Sequence, residues 1–210
     1  MMQNEPFNIS IAPPVSEIEL HNYITLFNEY QVKILNVEDN VVEGALVLCG
    51  GSDIGVNAKR DQFEIDLIQQ ALEKEVPIIG ICRGMQLINH YFGGGVEDIP
   101  TELNENHLAD EFRDDADHHE RVSQFHWVKD IKNGHIFVAN SRHHQHCIDL
   151  NETVGFEATH YSLDNLVEGF INTELRILGV QWHPERNENI DDVYWKQYPL
   201  NQIKKWLKDQ

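Results

Sequence analysis

The chain reads as an α/β fold, a three-layer sandwich with a mainly parallel central sheet and some antiparallel strands in the C-terminal half. Two observations predict it. Through the first half, short β-prone apolar runs alternate with segments of helical periodicity, a pattern that builds parallel strands covered by helices on both faces. In the second half β-prone runs continue while helical periods become few, which favours antiparallel pairing.

Ile9 to Ala12 is the first expected strand, closed by Pro13-Pro14, and Ser16 is placed to cap a helix running to about Glu29. Val32 to Val37 and Leu46 to Cys49 follow as strands. From Asp61, the residues Phe63, Leu67, Ile68, Ala71 and Leu72 recur at helical spacing, so this helix lays one face on the sheet. It ends before Pro77, which opens another apolar run through Ile81. His135 to Ala139, Val154 to Ala158, Val167 to Ile171 and Arg176 to Trp182 are the later strand candidates. Ile203, Trp206 and Leu207 place a final helix starting near Pro199, where proline suits a first helical turn. No linker or internal repeat interrupts the chain, so residues 1–210 are expected to form a single domain.

The chemistry concentrates in three motifs. Pro77-Ile-Ile-Gly-Ile-Cys82-Arg-Gly-Met-Gln86 joins a strand to a helix through one cysteine between close glycines. A strand that turns sharply into a helix exposes the side chain at its apex, and the helix terminus favours a thiolate there. Read alone, Gly-x-Cys-x-Gly suits a buried structural cysteine better than a nucleophile. Near the C-terminus, Ile177-Leu-Gly-Val-Gln-Trp182 runs into His183-Pro184-Glu185. Residues i and i+2 of an extended segment share a side, so Glu185 can orient His183 as a general base. The third motif is Ala45-Leu-Val-Leu-Cys-Gly50-Gly51-Ser52-Asp53, whose paired glycines let backbone amides approach a ligand. Amides of Gly50, Gly51 and Arg83 are the expected oxyanion donors.

In this order, the motifs resemble the class I glutamine amidotransferase-like family, and within it the γ-glutamyl-γ-aminobutyrate hydrolase branch of the peptidase C26 type. Arg60-Asp-Gln-Phe-Glu64, Gly80-Ile-Cys-Arg-Gly-Met-Gln-Leu-Ile-Asn89, Asn140-Ser-Arg-His-His-Gln145 and Gly179-Val-Gln-Trp-His-Pro-Glu185 carry the resemblance, which spans residues 44 to 185. It implies a flavodoxin-like sandwich and a cysteine-dependent hydrolase with Cys82, His183 and Glu185 as triad. That enzyme cleaves a small γ-glutamyl conjugate through a thioester, releasing glutamate and an amine. The resemblance also places Gln86 and the main chain around His143, His144 and Gln145 beside the substrate. Arg142, with Lys59 and Arg60, is a candidate contact for an anionic or nucleotide phosphoramidate leaving group; ion pairing of these cations with Asp53, Asp61 or Glu64 is the competing role. The branch often carries a longer loop where only six residues separate Asp53 from Arg60, and a proline where Cys49 stands. The alternative function is a glutaminase subunit supplying ammonia to a separate synthase in trans. An α/β-hydrolase is disfavoured because its acid and histidine are normally far apart in sequence.

The formal charge of −19 opposes binding to nucleic acid or an anionic membrane, since a negative field repels polyanions. Between Glu97 and Glu120, ten carboxylates accompany Arg113 as the only fixed cation, which predicts a solvated loop. No transmembrane run or secretory signal is visible, and three cysteines without framework spacing suit a reducing compartment, so a cytoplasmic location is expected. The chemistry requires no cofactor. Metal binding is set aside as well: neighbouring histidines in an extended segment point to opposite faces, so His143-His144 and His118-His119 do not converge as zinc ligands require, and His107 is set aside with them.

Overall fold

The computed structural model describes residues 8–14, 16–103, 107, 124–186 and 191–208. Its strands are β1 (Asn8–Ala12), β2 (Gln31–Ile34), β3 (Ala45–Leu48), β4 (Ile78–Ile81), β5 (Gly95–Asp98), β6 (Gln124–Asp130), β7 (Ile136–Ser141), β8 (Gln145–Ile148), β9 (Glu157–Ser162), β10 (Val167–Asn172) and β11 (Ile177–Val180). The helices are α1 (Glu17–Leu26), α2 (Ala58–Glu73), α3 (Arg83–Tyr91) and α4 (Tyr194–Lys208). None is long and apolar enough to cross a membrane.

The strands form one mixed sheet in the order β2-β1-β3-β4-β11-β10-β9-β6-β7, with β8 pairing β10 and β5. From β2 to β11 every neighbour is parallel, and from β11 outward the pairing is antiparallel. The central strands are buried on both faces, which is why they read as unbroken apolar runs. Alternate residues serve different cores. Val47, Ile79, Ile81, Leu178 and Val180 face Tyr23 and Phe27 of the α1 segment and Trp195, Ile203 and Trp206 of α4. Leu46, Leu48 and Ile78 face Leu67, Ile68 and Ala71 of α2 and Met85 and Ile88 of α3. The sheet is therefore the middle of three layers.

Several boundaries differ from the sequence reading. Ser16 caps α1, its Oγ accepting from the Glu19 N–H at 3.4 Å, but the helix ends at Leu26 and Phe27 caps it. The strand expected at Val154 to Ala158 begins at Glu157, after a short 3₁₀ turn over Glu152–Val154. The last helix starts at Tyr194 rather than near Pro199. Proline inside a helix deprives the carbonyl four residues earlier of its donor. Here that carbonyl belongs to Trp195, and the indole N–H of Trp182 donates to it at 2.7 Å, so the helix tolerates Pro199. Strands β5, β6 and β8 have no counterpart in the sequence reading. Within the acidic stretch, Glu97 and Asp98 belong to β5; residues 104–106 and 108–123, including His118 and His119, lie outside the described residues.

Candidate active site

Strands β3, β4 and β11 lie side by side and parallel, so their carboxyl ends open on one edge of the sheet. The three sequence motifs sit at those ends. Cys82 follows β4 and caps α3 with φ 53° and ψ −110°, a conformation that L-residues seldom adopt outside functional turns. Two glycines make this turn possible. A Cβ on Gly80 would lie 2.6 Å from the Gly84 carbonyl carbon, and one on Gly84 would lie 2.2 Å from the Leu48 carbonyl oxygen. The elbow is thus pressed against both its own strand and the neighbouring one.

The Arg83 side chain turns away from the edge into the protein. It is buried and bridges two carboxylates of α2, Asp61 and Glu64. Glu64 also accepts from Arg60 Nε at 2.8 Å, while Arg60 Nη2 donates to the Gly50 carbonyl at 3.0 Å. One carboxylate therefore ties the cysteine elbow to the Gly50-Gly51 turn. Arg60 is committed to this network, which is the ion-pair role rather than the leaving-group role considered for it.

On β11's side, Glu185 Oε1 lies 2.6 Å from His183 Nδ1, both residues being buried. A Cβ placed on Gly50 would stand 2.9 Å from His183 Cε1 and 3.7 Å from Cys82 Cβ, so the imidazole and the cysteine flank the same small space. His183 Nε2 is buried without an aligned hydrogen bond, while the Cys82 sulfur is near enough to act on the ring as charge and hydrogen-bond partner. Such contacts commonly align only with substrate present. Burial disfavours the charged imidazole, but Glu185 and the nearby Cys82 sulfur outweigh it and raise His183 to about 9. Burial likewise opposes ionisation of Glu185, yet His183 beside it holds the carboxyl below its usual range.

Of the expected oxyanion amides, the Gly50 N–H is donated to the Tyr23 hydroxyl at 2.9 Å. Gly51 has φ 156°, and a Cβ there would collide with the Arg60 guanidinium at 2.1 Å. The Arg83 amide opens α3, where helical N–H groups have no intrahelical acceptor.

Gln86 is buried on α3 and its Nε2 donates to the Gln145 carbonyl at 3.1 Å and to Gln181 Oε1 at 3.3 Å. His144 Nε2 pairs with Asp53 Oδ2 at 2.9 Å, and Arg142 is half-buried in the β7–β8 connection. The His143 side chain points elsewhere, into a buried group with His107, His126 and Glu168. The sequence reading sets metal aside by weighing neighbouring histidines; this group draws one residue from each of four segments, and no local spacing reveals it. Two further residues escape a reading of the sequence. Asn140 grips the His183 main chain from β7, and Tyr23 holds the Gly50 amide from α1. Asn140 stands within one of the family-like motifs, whereas a tyrosine on an ordinary amphipathic helix gives no signal.

A family model for Peptidase C26 matches residues 49–185, from the cysteine before the paired glycines to the glutamate beside the histidine. The chain belongs to this family. The C26 chain is 35% identical over 193 residues to the glutamine amidotransferase-like protein YvdE of Lactococcus lactis, covering 83% of this chain and 73% of that one. It is 29% identical over 157 residues to the γ-glutamyl-CDP-amidate hydrolase of Campylobacter jejuni, covering 71% of this chain and 66% of the relative. Among solved structures, a GMP synthase component from Thermoplasma acidophilum superposes with a TM-score of 0.71 at 19% identity, covering 95% of this chain and 93% of the other. That likeness establishes the glutamine amidotransferase fold for the C26 chain.

Proposed function

We propose that this chain hydrolyses the amide bond of a small γ-glutamyl conjugate, with Cys82 as nucleophile, His183 as general acid and base, and Glu185 as its orienter. The observation that carries this reading is the meeting of the Cys82 elbow with a carboxylate-held imidazole at adjacent strand ends.

The geometry supports a definite order of events. The Cys82 thiolate adds to the amide carbon, and the resulting oxyanion takes hydrogen bonds from the Gly51 and Arg83 amides. Loss of one such donor typically costs about 3 kcal/mol of transition-state stabilisation. Protonated His183 gives its Nε2 proton to the nitrogen as the carbon–nitrogen bond breaks, leaving a γ-glutamyl thioester and a free amine. His183 then takes a proton from water, the hydroxide equivalent adds to the thioester, and carbon–sulfur cleavage releases glutamate and regenerates the thiolate. Gln86 and the main chain at His144 and Gln145 border the glutamyl group in this reading.

The leaving group is proposed as an anionic amine, a nucleotide phosphoramidate being the specific case. The support is the hydrolase relative in Campylobacter jejuni, together with Arg142 in the β7–β8 connection. Purified protein is to be incubated with glutamine, neutral γ-glutamyl amides and a γ-glutamyl nucleotide phosphoramidate, and glutamate release measured. Unaided turnover of a conjugate that vanishes in Cys82→Ser supports the reading. Turnover that survives the substitution refutes it. Glutamine hydrolysis that appears only after a synthase is added replaces it with the ammonia-supplying role.

A further inference from the structure

Away from the triad, the structure buries a polar group that hydrolysis does not use. His107, His126 on β6, His143 in the β7–β8 connection and Glu168 on β10 are all buried, and each offers a ligand atom within 4.8 Å of the others. His107 Nδ1 lies 3.0 Å from His126 Nδ1, 3.4 Å from His143 Nε2 and 3.7 Å from Glu168 Oε1. His143 Nε2 is 3.6 Å from the same carboxylate oxygen.

Hydrogen bonding alone does not account for this arrangement. His107 uses Nε2 on the Asp164 carboxylate at 3.0 Å, and that oxygen accepts, so the ring's proton resides on Nε2 and Nδ1 presents a lone pair. His143 uses Nδ1 on the Gln145 carbonyl at 2.9 Å, so its Nε2 presents a lone pair by the same reasoning. Two lone pairs thus face each other and a carboxylate; His126 Nδ1, 3.0 Å from His107 Nδ1, can donate to only one of them, and both Glu168 oxygens are buried without an aligned hydrogen bond, His126 Nε2 standing 3.5 Å from one. An unpaired buried carboxylate is costly, and acceptors turned toward one another add repulsion. A cation at their centre satisfies all of them.

We propose that His107, His126, His143 and Glu168 bind one zinc ion in a closed, structural site. Zinc–nitrogen bonds of about 2.0–2.1 Å in a tetrahedron separate the ligand atoms by roughly 3.3–3.4 Å, the spacing this cluster approaches. Three imidazoles and one carboxylate suit zinc far better than calcium or magnesium, which take oxygen. The outer contacts fit too: Asp164 and the Gln145 carbonyl hold the far nitrogens of His107 and His143, as second partners of metal-bound histidines commonly do. The ion would pin together the segment after β5, β6, the β7–β8 connection and β10, and so steady the stretch between Asn140 and Gln145 that runs past the active site. The inference does not rest on the hydrolase reading.

The test uses the full chain purified without chelator or immobilised metal. Elemental analysis is expected to find one zinc per chain, and chelator treatment followed by added Zn²⁺ is expected to lower and then restore the melting temperature. Glu168→Gln and His126→Ala should lose the metal, whereas His21→Gln, at an exposed position of α1, and Cys82→Ala should keep it. Co²⁺ in place of zinc should give the visible bands of a tetrahedral site without thiolate charge transfer. Metal-free protein whose melting temperature ignores Zn²⁺ overturns the proposal and leaves a histidine cluster sharing a proton. Zinc retained by folded Glu168→Gln and His126→Ala, or lost with Cys82→Ala, overturns it as well. Should the cluster variants fail to fold, the stoichiometry and the Zn²⁺-dependent melting of the wild-type chain decide.

Discussion

Asn140 holds both main-chain polar groups of His183: its Oδ1 accepts from the His183 N–H at 2.8 Å and its Nδ2 donates to the His183 carbonyl at 3.0 Å. The imidazole hangs from β11, yet its position is fixed from β7, on the far side of the antiparallel strands. Asn140→Ala leaves the buried His183 N–H unpaired, a loss of about 1–3 kcal/mol, while the His183 carbonyl keeps the Arg186 N–H at 3.2 Å. Stability should fall by that order, and kcat should fall about 10- to 100-fold while KM changes little. Steady-state kinetics beside urea unfolding will separate the two effects.

Glu64 links the elbow to the glycine turn by accepting from Arg83 with one oxygen and from Arg60 with the other. Removing one member of a buried ionic network costs about 3–5 kcal/mol, because the remaining charges lose their partner. Glu64→Gln is therefore expected to lower the unfolding free energy by about that amount and to depress activity as Arg60 releases the Gly50 carbonyl. Unchanged stability in chemical denaturation would show that Asp61 alone suffices for Arg83.

Gly84 and Gly50 should respond differently to alanine. At Gly84 the new methyl meets backbone, the Leu48 carbonyl oxygen at 2.2 Å, and overpacking of this kind costs about 1–3 kcal/mol or more. At Gly50 it meets a side-chain atom, His183 Cε1 at 2.9 Å. A displaced imidazole is expected to cost about 100-fold in kcat. Gly50→Ala should thus keep more of its unfolding midpoint than Gly84→Ala while losing more activity than stability.

The raised pKa of His183 sets a pH dependence. The folded value of about 9 stands above the ordinary 6.5, so the native state holds a proton that the unfolded chain releases earlier. Its contribution to stability is complete below about 6.5 and is lost as the pH rises through about 9. The stability gap between wild type and His183→Gln should narrow across that window. In the proposed mechanism the same proton goes to the leaving amine, so kcat/KM for a γ-glutamyl amide should decline above about pH 9.

The parallel half of the sheet is legible in the sequence because its strands are buried on both faces; Ile78–Ile81 has nowhere to place a polar side chain. The candidate triad is legible because a cysteine elbow and a His-x-Glu pair are local signals. Strand β6 hides for the opposite reason. Its inward residues include His126 and Asp130, which serve the histidine cluster and Tyr194, while Phe125 and Trp127 face outward, so no hydrophobic-in alternation marks it. Pro199 misleads because its helix is rescued by Trp182, a partner from β11's end that sequence spacing does not announce. Glu168 and its three histidines come together only in the folded chain.

The central claim is covalent chemistry at one sulfur. Intact-protein mass spectrometry of an acid-quenched reaction with a γ-glutamyl aryl ester, whose phenolate leaves without a proton from His183, tests it most directly. The predicted result is a glutamyl adduct that maps to Cys82 and accumulates in His183→Ala, where no imidazole remains to activate water for deacylation. Steady release of glutamate by Cys82→Ala, with no adduct on any residue of the wild-type protein, would contradict it.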